Sequence, residues 1–381
     1  MTREKIKLLI IVKSIDGGTG TFFLNLLKVS KLFNKKEILI KEVVLEKPSF
    51  RDVKKYNFKY LRNKNFYPQK YSLSLRNIIY FLNELLYINK TVKRFSPNII
   101  LSIDLRCNLL AQITKLLSLN KIKIINTNHI DLLKTIFNKS TNKVNFFLKG
   151  LIKLTYNKSD AIVCVSNRLS DSLKKDFNLH KKIITIYNGE SFPISKAKKY
   201  KPNRKKTITT IARLVEQKDH INLIKGFKLL HNQIPNTQLI IASDGPKKAA
   251  LVHLVHKIGL KNNVKFVGWV KNIYSLLSKS DVFVLSSRRE GFAYVLIEAM
   301  SQGLPIISTD TPYGPSEVLD NGNYGILVPM KKPKLLSRAM YKLLTNGGLY
   351  NHYSLKSIQR SKYFTIDNML KGYHDVIMSI I

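Results

Sequence analysis

Carboxylates are scarce in this sequence. Only 24 aspartates and glutamates stand against 65 lysines and arginines, a formal charge of +41 over 381 residues. A field of that sign favours phosphate-bearing partners and anionic surfaces, so three kinds of partner enter: nucleic acid, an anionic membrane leaflet and a diphosphate substrate. A composition rich in Lys, Asn, Ile, Tyr and Phe also follows from A/T-rich codons, which accounts for part of the excess lysine. Cysteine is nearly absent. Cys107 and Cys164, both among apolar neighbours, exclude a disulfide framework and indicate buried thiols in a reducing cytoplasm. No apolar run approaches the ~20 residues of a spanning helix. The opening MTREKIKLLIIVKSIDGG lacks a small-residue cleavage site and reads as a first strand rather than a signal peptide. Neither an Asp-x-Asp pair nor a His/Cys cluster is present, so the sequence requires no metal and implies no cofactor. Internal repeats and low-complexity tracts are lacking as well.

What is there is a repeated strand–helix rhythm. Lys5 to Val12 is a continuous apolar run, as in a strand buried on both faces. Asp16-Gly17-Gly18-Thr19-Gly20 follows it and precedes a helical pattern from Thr21 to Phe33, a glycine turn suited to close approach of backbone to phosphate. Strands are predicted at Glu37 to Leu45, Asn98 to Leu105, Lys121 to Asn128, Asp160 to Ser166 and Lys182 to Tyr187. Helices over Leu73 to Phe95, Asn108 to Leu119 and Val144 to Tyr156 separate them. A second series begins at TITTIARL and runs to the C-terminus. Such alternation makes parallel sheets covered by helices on both faces. The boundaries predicted are a first domain over 1–190, a lysine- and proline-rich linker over 191–206, a second domain over 207–363, and a last helix over 364–381 that packs back on the first domain.

The stretch from Ser286 to Pro329 organises the second half. Glu290 follows an apolar strand, Val282 to Leu285, and Glu298 lies on a short helix, Tyr294 to Gln302, ended by Gly303. Pro305 opens the next strand. In a doubly wound sheet ligands bind outside the carboxyl ends of the strands, where Glu290 stands. Between the two acids lie Gly291, Phe292, Ala293, Tyr294, Val295, Leu296 and Ile297, nearly all apolar or small, so Glu298 is predicted to be buried with a partner. Ionised carboxylates accept hydrogen bonds only, which suits hydroxyl-rich ligands.

This segment resembles the EGFxxxxxEAM signature of retaining GT-B glycosyltransferases of the family 4 type (glycosyl transferases group 1). GLPIISTDTPYGPSEVLDNGNYGILVP is similar to that family's next block, in a Gly-Pro-Ser-Glu variant found among transferases of lipid-linked oligosaccharide and surface-polysaccharide assembly. The resemblance covers the C-terminal half closely and the N-terminal half in outline. It implies an α/β fold of two Rossmann-like doubly wound domains facing a central cleft. It also implies site residues. Arg213 and Lys218 would neutralise the departing nucleoside diphosphate, an electrostatic task for which fixed cations are suited. Glu298 would accept from the ribose hydroxyls and Glu290 from the donor sugar, with backbone amides of Gly291, Phe292, Ala293 and Tyr294 in support. Asp244 and Gly245 resemble the family's GDGP turn, with Ser243 where glycine is usual, and Trp269 and Val270 resemble the block that meets the base. Gly17 and Gly18 match the glycine loop facing donor diphosphate and acceptor, and His129 matches a histidine that points toward the donor sugar.

Two further segments stay open. Arg51 to Ser72 alternates cations (Lys54, Lys55, Lys59, Arg62) with rings (Tyr56, Phe58, Tyr60, Phe66), a mixture that suits single-stranded nucleic acid, a membrane interface or a solvated loop. The helix around Phe146, Phe147, Leu151 and Leu154, with Lys149 and Lys153, fits an interfacial helix and an ordinary domain helix equally. The expectation is a cytoplasmic transferase, peripheral on the inner face of the cell membrane. It would use a nucleotide-diphosphate sugar and a glycan or lipid-linked acceptor, and no specific nucleic acid. Competing readings are an epimerase or phosphorylase on the same fold, and a non-enzymatic nucleic-acid binder.

Overall fold

The computed structural model of the chain describes residues 5–32, 38–47, 58, 60–62, 75–118, 121–133 and 142–381. The chain forms two compact units, one of Met1–Gly189 with Ile366–Ile381, the other of Glu190–Thr365.

Unit 1 is built on a seven-stranded sheet of order β3-β2-β1-β4-β5-β6-β7, every neighbouring pair parallel. Its strands are β1 (Ile6–Ser14), β2 (Ile38–Glu46), β3 (Tyr60–Arg62), β4 (Ile99–Ile103), β5 (Lys123–Asn128), β6 (Ala161–Cys164) and β7 (Ile183–Thr185). Leu8, Leu9, Ile10, Ile11 and Val12 have no exposure at all, as a central parallel strand covered on both faces requires. Helices α1 (Gly17–Leu26), α2 (Leu75–Phe95), α3 (Leu105–Leu117), α4 (Asn142–Asn157) and α5 (Asn167–Phe177) connect the strands.

Several sequence readings change here. The first helix starts at Gly17, because the glycine pair itself opens the helix, and a 3-10 turn over Leu27–Leu32 follows it in place of a longer α-helix. Of the basic–aromatic stretch, only Phe58 and Tyr60–Arg62 lie within the described residues; the latter form an edge strand, with Leu61 packed on the core. The α4 helix buries Ile152 and Tyr156 and leaves Leu154 exposed, while the side chains of Phe146 and Phe147 lie outside the described residues.

Unit 2 carries a six-stranded parallel sheet of order β10-β9-β8-β11-β12-β13. Its strands are β8 (Lys206–Ile211), β9 (Thr237–Ala242), β10 (Val264–Gly268), β11 (Val282–Leu285), β12 (Ile306–Thr309) and β13 (Ile326–Val328). Helices α6 (His220–Gln233), α7 (Lys248–Lys257), α8 (Ile273–Ser278), α9 (Tyr294–Ser301), α10 (Pro315–Val318), α11 (Pro333–Thr345) and α12 (Gly347–Ser361) complete it. Residues 191–206, read as a linker, belong to this unit and are stitched to it. The Lys198 N–H donates to Ser354 Oγ, its Nζ to the carbonyls of Leu277, Ser278 and Ser280, and the Tyr200 hydroxyl to Leu344 O. Prolines and dense lysine mark the segment as a linker in the sequence; its hydrogen bonds to distant residues of unit 2 are not visible there.

The last helix, α13 (Ile366–Ser379), belongs to unit 1. It buries Met369, Tyr373, Val376 and Ile377, and its Tyr373 ring lies 5.5 Å from that of Phe22.

Candidate active site

In each sheet the strand order reverses once, between β1 and β4 in unit 1 and between β8 and β11 in unit 2. Chain leaving two neighbouring strands at such a point runs in opposite directions and opens a crevice between the loops. In unit 2 those loops are Ala212–Asp219 and Ser286–Ala293. They bring together Lys218 and Glu290: Nζ lies 2.5 Å from Oε1, with only 19% and 7% of the two side chains exposed. Oε1 also accepts from Ser287 Oγ at 2.5 Å. Oε2 makes no hydrogen bond within the described residues, and of the three N–H groups of Nζ one serves Glu290. One carboxylate oxygen and two ammonium hydrogens are thus unspent at the edge of the sheet.

The pair is held by the chain on either side of it. Arg288 donates from Nε to Asp219 Oδ2 (2.8 Å) and from Nη2 to Asp219 Oδ1 (3.1 Å), and Nη1 reaches Glu216 Oε1 at 3.1 Å. The Arg288 N–H donates to Gln217 O, Gln217 Nε2 to Arg289 O, and Ser286 Oγ to Lys218 O. A forked guanidinium matches a carboxylate with two parallel bonds, which fixes direction as well as distance. Asp219 takes a left-handed conformation (φ 45°) between the 3-10 turn Glu216–Lys218 and α6, so the turn presents Lys218 and the helix begins at once.

Arg213 stands on the same loop, exposed, with no ion pair or side-chain hydrogen bond among the described residues. Asp244 and Gly245 follow β9. A side chain on Gly245 would meet the Leu214 backbone at 2.6 Å, so glycine is what lets this turn lie against the Arg213 loop. The Asp244 carboxylate is taken up locally by the Gly245 N–H (2.7 Å) and Lys248 (3.1 Å), which hold it below the ordinary carboxylate range. Ser243 adopts a glycine-like φ of 108° and its N–H donates to Gly268 O at 2.6 Å. Trp269 is exposed beyond β10, with Val270 half-buried beside it.

The Glu290 loop enters α9 through Ala293, whose φ of 70° is left-handed. The helix has no side-chain N-cap and no acid in its first turn, so its positive end is left for an anion. Phe292 and Tyr294 are buried and Gly291 is half-buried. Gly314 closes on this loop from the far side: a side chain there would meet Gly291 O and Phe292 at 3.0 Å. Glu298 is half-buried, not enclosed as its apolar neighbours suggested, because its face of α9 stays open. Burial, then Glu298 and Glu190, push the Tyr274 hydroxyl up, placing both carboxylates in its neighbourhood.

In unit 1 the corresponding edge carries Gly17 and Gly18, both exposed after β1, and His129, buried after β5. The tight glycine of this turn is Gly20, where a side chain would collide with Ile15 backbone at 1.9 Å. The His129 tautomer follows from its partners. Thr127 Oγ1 donates its hydrogen to Ser102 O, so the 3.1 Å contact with His129 Nε2 requires Nε2–H as the donor. Nδ1 is left as an acceptor with no partner among the described residues. Burial pulls the imidazole down to about 3, and Phe22 stacks obliquely at 4.5 Å.

Residues 191–360 match the family Glycosyl transferases group 1, and residues 49–189 match Glycosyltransferase Family 4. The chain belongs to the family 4 glycosyltransferases. An uncharacterized glycosyltransferase of Methanocaldococcus jannaschii is 28% identical over 333 residues, 75% of this chain and 80% of that one. The N-acetylgalactosamine-N,N'-diacetylbacillosaminyl-diphospho-undecaprenol 4-alpha-N-acetylgalactosaminyltransferase of Campylobacter jejuni is 28% identical over 235 residues, 61% of this chain and 62% of its own length. The lipopolysaccharide outer core galactosyltransferase WaaB superposes with a TM-score of 0.74 at 18% identity, covering 99% of this chain and 100% of that one. Anabaena HepE in complex with UDP superposes with a TM-score of 0.75 at 17% identity over 98% of this chain and 100% of its own. These likenesses establish the GT-B fold for the transferase. Sequence reading missed Ser287, Arg288 and Asp219, which shape the transferase's Lys218–Glu290 pair, and Gly314, which closes on the loop after Glu290. The one available signal was the Ser-Ser-Arg run just before Glu290.

Proposed function

We propose that this transferase moves a sugar from a nucleotide-diphosphate donor to a glycan or lipid-linked acceptor, with retention of configuration, in cell-envelope polysaccharide or glycolipid synthesis. The Lys218–Glu290 pair at the reversal point of the unit 2 sheet carries the reading. The names of relatives, among them lipopolysaccharide core and amylovoran biosynthesis glycosyltransferases, support the cell-envelope setting.

The donor diphosphate lies against Arg213, Lys218 and the N-terminal end of α9. Negative charge grows on the leaving phosphate as the glycosidic bond breaks, and cations already in place stabilise that charge most. Lys218 keeps one hydrogen on Glu290 and turns the other two to phosphate oxygens. Glu290 Oε2 accepts from a hydroxyl of the donor sugar. The second half-buried carboxylate, Glu298, takes the ribose hydroxyls, and the Gly268–Val270 turn meets the base. On unit 1, neutral His129 offers Nδ1 to a sugar hydroxyl. Neither glutamate is assigned the acid–base work of a hydrolase: Glu290 is fixed in an ion pair and binds hydroxyls. Catalysis draws on the chain's own cations, and no cofactor is assigned.

A screen of nucleotide-sugars by thermal shift identifies the donor, because a ligand that binds only the folded state raises its melting point. Radiolabelled donor then separates the outcomes. Label passing to a lipid or glycan supports the assignment, whereas label recovered only as an isomerised donor or a sugar phosphate overturns it.

A further inference from the structure

We infer that α2 is a docking face for an anionic lipid surface. Four large apolar side chains of this helix point outward: Ile78, Ile79, Leu82 and Leu86 are 44%, 48%, 50% and 67% exposed. Their spacing by four residues from 78 to 86 puts them on one stripe. The opposite face packs into the core through Ile88 and Val92. Large exposed apolar stripes of this kind mark contact surfaces rather than ordinary solvated helix.

The polar residues of the same face decide the occupant. Beyond the stripe the exposed side chains are Arg76, Asn83, Lys90, Lys93 and Arg94, all cationic or neutral. The single acid of the helix, Glu84, is wholly buried and bonded to Arg106 at 2.6 Å. An apolar half followed by a cationic half, on a rod about 30 Å long, fits a helix lying in the plane of a bilayer interface. The apolar side chains enter the boundary while lysine and arginine meet lipid phosphates. No described helix is long and apolar enough to cross a membrane, so contact is along the surface. A second copy of this chain fits poorly, since self-association of the face would set Lys90, Lys93 and Arg94 against like charges. Single-stranded nucleic acid fits poorly too, since the four side chains of the stripe are aliphatic and give a base no ring to stack on.

The test is flotation of the full chain with vesicles of phosphatidylcholine alone and of phosphatidylcholine mixed with phosphatidylglycerol. Binding is expected on the anionic vesicles, weakening as salt is raised. Leu82→Glu with Leu86→Glu, and separately Lys90→Glu with Lys93→Glu, should each weaken partitioning by about tenfold or more. All side chains changed are exposed, so the melting temperature should stay at the wild-type value; Leu82→Ser with Leu86→Ser serves if the glutamates lower it. Equal binding to neutral vesicles overturns the inference, as does undiminished binding by the leucine variants. Concentration-dependent self-association that the leucine variants abolish also overturns it, by assigning the face to a second copy. Vesicle binding is read without turnover, so its failure and the failure of the transferase reading are separate results.

Discussion

Lys218 Nζ and Glu290 Oε1 meet at 2.5 Å although 72 residues separate them in the chain. Neither group is fully solvated, and the two come from loops on either side of the reversal point in the unit 2 sheet. Removing Glu290 leaves a half-buried ammonium without its partner and removes the hydroxyl acceptor. Removing Lys218 removes a cation from the leaving phosphate. Glu290→Ala and Lys218→Ala are each expected to lower kcat by ~10²-fold or more, the loss typical of one preorganised electrostatic group. Arg213→Ala, at an exposed side chain, should weaken donor binding with no change in the melting temperature. Steady-state kinetics beside thermal unfolding checks all three, and wild-type turnover in the Glu290 or Lys218 variant would refute the site.

Arg288 is a positioning residue. Its forked contact with Asp219 sets the turn from which Lys218 projects. Arg288→Lys keeps the charge and loses the fork, so kcat is expected to fall ~10-fold or more with a smaller change in stability. Asp219→Asn, which keeps one acceptor oxygen, should lie between Arg288→Lys and wild type. Loss of stability with kcat unchanged would show that the contact is merely structural.

Ala293 enters α9 in a left-handed conformation that costs a side-chain-bearing residue ~1–2 kcal/mol. Glycine removes that strain and returns part of the gain through the entropy of the unfolded chain. Ala293→Gly is therefore expected to stabilise unit 2 by about 0.5–1 kcal/mol, read from denaturant midpoints. A destabilised variant would mean that the Ala293 methyl makes packing contacts worth more than the strain.

Stability should fall as the solution is acidified from neutrality. Burial holds His129 down to about 3, and burial followed by Lys218 holds His220 down to about 4, whereas both protonate at 6.5 when unfolded. Their stabilising share is complete above pH 6.5 and is lost as pH falls toward the folded values, each at ~1.4 kcal/mol per pH unit. Asp104 acts with the opposite sign. Burial raises it to about 6 against Lys13, so its protonated form favours the fold as pH drops from 6 toward the ordinary value of 3.8. Two histidines outweigh one carboxyl across that window. Urea unfolding at stepped pH should show this slope, and His129→Phe should flatten it by one histidine's share. A flat profile in the wild type would exclude the buried neutral imidazoles.

Much of this architecture was readable from local pattern. Continuous apolar runs such as KIKLLIIV have one physical use, a strand covered on both faces, and their alternation with helical periods determines two parallel sheets. The apolar strand ahead of Glu290 and the apolar run behind it, with cations placed just after another strand, likewise pointed to the carboxyl edge of the second sheet. Local pattern did not reach the partners of those residues. That Gly245 needs to be glycine depends on how closely the Leu214 backbone passes. The tautomer of His129 depends on where Thr127 sends its hydrogen. Glu298 stayed half-open because it lies on the one face of α9 that its neighbours leave uncovered. The meeting of Lys218 with Glu290, and the Arg288 fork that secures it, depends on strand order. β8 and β11 lie side by side though two strands and three helices separate them in sequence, and hydrogen bonding across a sheet carries no trace in the order of residues along a chain.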